Sequence, residues 1–121
     1  PAAPTGFGSI GPRKVFLLPG NPVSCLSAYD CFVGLALRRL GGLSEDWPYR
    51  KTKLLLRSKI ASQIGRIEYV RLQIQEGKAE PIASGGASIL SSTTRADGFL
   101  ITQESSEGFA EGEEVELWLY D

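Results

Sequence analysis

Hydrophobic and polar positions alternate along this chain in two different rhythms. Between Pro22 and Leu40 the apolar residues Leu26, Tyr29, Val33, Leu37 and Leu40 return at helical spacing, which predicts a helix carrying one apolar stripe. Just upstream, Val15 to Leu18 reads VFLL, a short unbroken apolar run bounded by turn residues. That pattern predicts a strand buried on both faces. Pro19 and Gly20 end it, Asn21 stands where an N-cap belongs, and Pro22 takes the first helical position, where a missing N–H costs nothing. Gly41-Gly42 stops the helix. Residues 1–12 are rich in Pro, Gly and Ala without periodicity and read as loop. The expectation is strand, tight turn, helix: an incomplete piece of an α/β unit whose partner strands are not evident in the remaining sequence.

Beyond Trp47 the rhythm changes. Residues 53–60, 67–75, 79–84, 99–103 and 115–120 all read as strands, and in EYVRLQIQ the apolar Val70, Leu72 and Ile74 alternate with polar neighbours. Gly77 marks a hairpin between the second and third. Five short strands with no convincing helix between them predict a small all-β domain, barrel-like or a sandwich. The expected organisation is an α/β fragment over residues 1–46 followed by a small all-β barrel-like domain over 47–121.

Composition narrows the chemistry. The chain has 121 residues, 42% hydrophobic and 22% charged, enough for about one ordinary domain with a core. A formal charge of -1 without runs of like sign gives no electrostatic case for nucleic acid or an acidic membrane surface. No apolar stretch approaches the roughly 20 residues of a membrane span, and no signal peptide is evident. A soluble, cytoplasmic protein is expected, and the start at Pro1 suggests a piece of something longer. Histidine is absent, which removes a His-assisted nucleophile and the usual His-containing zinc sites. Cys25 and Cys31 are six apart on the expected helix, about 120° around its axis. They cannot bridge without unwinding it, so two free, half-buried thiols and no metal site are expected. Chemistry must come from backbone amides, hydroxyls, Arg, Lys or carboxylates.

One stretch concentrates such groups. In LLPGNPVS, Leu17 to Ser24, a strand turns directly into a helix N-terminus, where amide N–H groups without intrahelical partners and the positive end of the helix dipole meet. Such a turn is either a well-capped helix start or an oxyanion site. In the second case Gly20 admits a ligand close to the backbone, Asn21 and Pro22 fix the helix entry, and Ser24 adds a hydroxyl.

The segment VFLLPGNPVSCLSAYDCFVGLALRRLGG resembles the molybdopterin molybdenumtransferases, the MoeA and gephyrin E-domain family. GRIEYVR, LSSTTRADGFLI and GFAEGEEVELWL follow in the order of that family's C-terminal β-module. The resemblance implies the end of a molybdopterin-binding α/β domain and then the terminal β-domain of a multi-domain, homodimeric enzyme. Such enzymes insert molybdate into adenylylated molybdopterin, release AMP and use Mg2+. The family's molybdate-binding serine falls on Ser24 and its anion-binding arginine on Arg66; Gly20, Asn21 and Ser88 complete the implied oxyanion set. No catalytic residue can be assigned. Two departures stand out. The family's Pro-Gly-Lys-Pro loop reads Pro1-Ala2-Ala3-Pro4 here, with Ala3 in the lysine's place, and Ala87-Ser88 precedes the LSS segment, where many members carry a polar residue first. The alternative is therefore a non-catalytic binding or assembly module derived from the family. Arg71, alternating with Val70 and Leu72, is expected to face solvent or a domain interface, Asp97 to serve a turn, and Ser91 and Ser92 to be turn residues without a base.

Overall fold

The computed structural model describes residues 2–82 and 90–121. They divide into two compact units, one of residues 2–48 with residue 90 and one of 49–82 and 91–121.

The first unit opens with an antiparallel hairpin of β1 (Gly6–Ile10) and β2 (Arg13–Leu17), in register from Gly6 opposite Leu17 to Ile10 opposite Arg13. Two expectations are corrected here. The loop expected over residues 1–12 contains a strand, hidden in the sequence because glycines at positions 6 and 8 erase the hydrophobic alternation. The VFLL strand is not buried on both faces, since Leu17 is 65% exposed. A two-stranded ribbon has only its own side chains to cover it, here the Phe7 and Phe16 rings at 5.0 Å.

The helix begins where expected. Asn21 is its N-cap, accepting Val23 N–H on Oδ1 at 3.2 Å, and Pro22 opens the first turn. It does not run regularly to Leu40. Between α1 (Pro22–Ala28) and α2 (Gly34–Leu40) lies a π-helical turn, Tyr29–Val33, in which Gly34 N–H reaches back five residues to Tyr29 C=O. A side chain at Gly34 would stand 3.2 Å from that carbonyl and 3.1 Å from the Tyr29 ring, so glycine suits the wide turn. Within the π turn the Asp30 carbonyl accepts Trp47 Nε1–H at 2.7 Å. Val23, Ser27, Ala28 and Asp30 are buried, whereas Leu26, Tyr29, Leu37 and Leu40 of the anticipated stripe are exposed. Cys25 and Cys31 are free and half-buried, and burial pushes the Cys31 thiol up from its ordinary value.

The second unit is a five-stranded antiparallel sheet in the order β3-β9-β7-β5-β6. Its strands are β3 (Arg50–Leu55), β5 (Tyr69–Gln75), β6 (Lys78–Pro81), β7 (Gly98–Ile101) and β9 (Glu114–Leu119). A separate ladder joins β4 (Ile60–Ala61) to β8 (Gly108–Phe109). The single strand expected over 53–60 is thus two, β3 and β4, because the chain leaves the sheet at Leu56. One short helix, α3 (Leu90–Thr94), precedes β7; no helix is evident there from sequence. The sheet curls so far that Leu56, just past β3, bridges Ala79 of β6, and Arg57 N–H donates to Ala79 C=O at 2.8 Å. Inside the curl lie Leu56, Ile60, Leu72, Ala79, Leu100, Val115 and Leu117, flanked by Leu54, Val70, Phe109 and Leu119. The other face carries aromatic rings: Phe99 lies 4.4 Å from Tyr69 and 5.5 Å from Trp118, both stacked, with Tyr49 edge-on at 5.5 Å. Strand β7 is therefore buried on both faces, Phe99 on one and Leu100 on the other.

Candidate functional site

The PGNPVS turn has the geometry of a helix entry open on one side. Gly20 is exposed, and Ser24 is half-buried in the first helical turn. The first intrahelical bond runs from Cys25 N–H to Asn21 C=O at 2.8 Å. Pro22 has no N–H and that of Val23 is taken by Asn21, so the Ser24 amide is the one that the helix ladder leaves over at this end. Upstream, Ala2 is buried with φ 63, and Thr5 Oγ1–H donates to its carbonyl. The position where the family's Pro-Gly-Lys-Pro loop has glycine thus has a left-handed backbone here, although its residue is alanine. Ala3 is exposed.

Arg66 belongs to the second unit, in the loop of residues 62–68 between β4 and β5, and its side chain is exposed. Its guanidinium enters no salt bridge among the described residues. The loop beneath it is held firmly. Ser62 N–H donates to Glu107 C=O at 2.9 Å and Gly65 N–H to Glu104 C=O at 2.6 Å, while Arg66 N–H closes a turn on Gln63 C=O at 3.2 Å. At the base lies Thr102, 0% exposed. Its hydroxyl accepts Glu68 N–H at 2.9 Å and the Ser62 hydroxyl at 3.2 Å, and its own N–H donates to Glu68 C=O at 3.0 Å. Both ends of the loop are thereby tied to one side chain. Nothing in the sequence marks Thr102, because a threonine ending an apolar strand reads as ordinary β-propensity.

Gly20, Asn21 and Ser24 thus lie together in one unit and Arg66 in the other, while Ser88 lies outside the described residues. Asp97 has a structural part: its carboxylate accepts Ile74 N–H at 2.7 Å and its N–H donates to Leu72 C=O at 2.9 Å, extending the β5–β7 ladder by a side chain. Arg71 stands opposite Phe99 on the aromatic face, half-buried, its Nε enclosed without a hydrogen-bond partner. Ser91 contributes its backbone to α3, accepting Thr94 Oγ1–H at 3.0 Å. Among the described residues no group of three His, Cys, Asp or Glu side chains could hold a metal ion. Among them, too, no helix is long and apolar enough to cross a membrane.

Residues 53–120, the curled sheet almost entire, match the family model described as MoeA C-terminal region, domain IV. The chain belongs to the MoeA family. A molybdopterin biosynthesis protein of Methanocaldococcus jannaschii is 32% identical over 120 residues, covering 98% of this chain and 27% of that protein. Molybdopterin molybdenumtransferase 2 of Mycobacterium tuberculosis is 29% identical over 121 residues, covering 98% of this chain and 29% of the relative. Among solved structures, the molybdopterin biosynthesis MoeA protein of Pyrococcus horikoshii OT3 superposes with a TM-score of 0.81 at 37% identity, over 94% of this chain and 29% of that one. A molybdenum cofactor biosynthesis protein of Pyrococcus furiosus gives 0.78 at 36% identity, over 88% and 38%. The chain therefore spans between a quarter and two fifths of the length of these MoeA relatives.

Proposed function

We propose that this chain is the C-terminal part of a molybdenum-transferring enzyme of molybdenum cofactor biosynthesis. The enzyme would take molybdate and adenylylated molybdopterin, insert the metal and release AMP, working in the cytoplasm as a homodimer of a longer polypeptide. The observation that carries this reading is the match of residues 53–120 to the MoeA C-terminal region. The residues suit the substrate: a tetrahedral dianion is well held by backbone amides, hydroxyls and a guanidinium, whose planar fork meets paired oxygens and whose charge does not titrate away. Gly20, Asn21, Ser24, Arg66 and Ser88 are the proposed oxyanion ligands. They bind and orient the metal-bearing substrate; the carboxylates expected to act on the pterin phosphate would come from outside this chain.

Isothermal titration of molybdate into the full-length protein tests the assignment. Arg66→Ala should remove most of the binding and Arg66→Lys restore only part of it, because an ammonium lacks the paired planar contact. Equal affinity of wild type and Arg66→Ala would overturn the assignment of Arg66. A second reading, a binding or assembly module without catalysis, is favoured by Ala3 in the lysine's place. Ala3→Lys adds one charge-assisted bond of ~1.5 kcal/mol or more, so under the enzymatic reading it should tighten molybdate binding about tenfold. Under the module reading it should change nothing.

A further inference from the structure

We propose that Thr102 is a positioning residue for Arg66, holding the 62–68 loop in the one conformation that presents the guanidinium to the oxyanion. The inference rests on the proposed role of Arg66. An exposed arginine on a mobile loop would be a poor anion ligand, because binding would have to freeze both loop and side chain. The geometry removes the first of these costs. The loop leaves β4 at Ser62 and enters β5 after Glu68, and a single buried hydroxyl accepts from both of those residues, 2.9 Å from Glu68 N and 3.2 Å from Ser62 Oγ. The Glu68 carbonyl takes the Thr102 N–H at 3.0 Å, and the crown of the loop is fastened through Gly65 to Glu104 at 2.6 Å. Thr102 is part of the sheet's own continuation past β7 and is fully buried, so it moves with the core and passes that rigidity to the loop. The side chains at the tip point the same way: Ile64 and Ile67, flanking the arginine, are exposed despite being apolar. Such residues at a loop tip are not held there by burial of their own, which leaves the polar ties at the base to define the loop's shape.

Thr102→Val keeps the shape of the side chain and removes the acceptor, while Thr102→Ser keeps the acceptor. Two measurements on the full-length protein decide the matter, well below the unfolding temperature: the dissociation constant for molybdate and the hydrogen-exchange rates of the Gly65, Arg66 and Glu68 amides. Thr102→Val should speed exchange at these amides and weaken molybdate binding about tenfold or more, since both hydrogen bonds to the hydroxyl are lost, with Thr102→Ser close to wild type. A purely structural threonine would lower the unfolding temperature and leave the affinity of the folded protein where it was. Should Thr102→Val fail to fold, Ser62→Ala removes the weaker tie alone, and a gain in loop exchange together with weakened binding would bear the proposal out. Wild-type affinity in Thr102→Val, or in Ser62→Ala when only that variant folds, overturns the positioning role while leaving Arg66 as ligand, provided Arg66→Ala still abolishes binding. If Arg66→Ala binds normally, the ligand assignment falls and the positioning role falls with it.

Discussion

Alanine at position 2 is an unusual choice for its backbone. With φ 63 its Cβ crowds the following carbonyl, a conformation that costs an L-residue about 1–2 kcal/mol and glycine almost nothing. Ala2→Gly should therefore raise stability by about 1 kcal/mol, somewhat less if the buried methyl packs well, and chemical denaturation would show it. A loss of stability would mean that the methyl contributes more than the backbone strain takes away. The adjoining Ala3 carries no such strain, so the substitution that bears on anion binding and the one that bears on stability sit side by side and can be made separately.

Two glycines with positive φ separate turn chemistry from close approach. Gly77 closes the β5–β6 hairpin with Glu76, at φ 73 and 50, and nothing lies near the place where a Cβ would go. Gly77→Ala should cost only the backbone term, about 1 kcal/mol. Gly108 is at φ 114, and a Cβ there would lie 1.8 Å from Ile60 C=O. Gly108→Ala must push β8 off β4, with a loss in the exceptional range above about 4 kcal/mol; urea melts of the two variants should differ plainly. The elements legible in the sequence were those whose information is local. Val70 and Leu72 betrayed β5 by alternation, Gly77 its hairpin, and Asn21-Pro22 the helix start. The elements missed have weak or distant signals. Strand β1 is interrupted by glycines, the β4–β8 ladder is two residues long, and the meeting of Leu56 with Ala79 depends on the twist of a whole sheet. The candidate site divides along the same line: Ser24 and Arg66 lie in recognisable motifs, whereas the tie from Thr102 joins residues 34 and 40 positions apart.

Stability across the molecule should be uneven. The second unit holds the contiguous apolar core, and Leu56, 1% exposed, serves it twice, as a core side chain and as the point where the sheet's edges meet. Leu56→Ala should cost about 4 kcal/mol or more, toward the upper part of the range for buried leucines because the site cannot collapse without parting β3 from β6. In the first unit the large side chains of Phe7, Ile10, Leu17, Leu37 and Leu40 are exposed, so its amides should exchange sooner than those of β5, β7 and β9. Equal protection in both units of the isolated chain would refute that.

The π turn at Tyr29–Val33 bears on how the length of this helix can vary. A regular helix advances about 100° per residue, so deleting one residue from α1 or α2 would swing everything beyond it around the axis. A wide turn already stores one surplus residue. Deletion there would let the ladder close as an ordinary helix and leave the downstream side chains facing as before. The indole of Trp47 donates to the Asp30 carbonyl inside this turn, and closing the turn would shift that carbonyl. The Trp47 bond is therefore fitted to the longer form of the helix, and deleting one residue from the turn should weaken it.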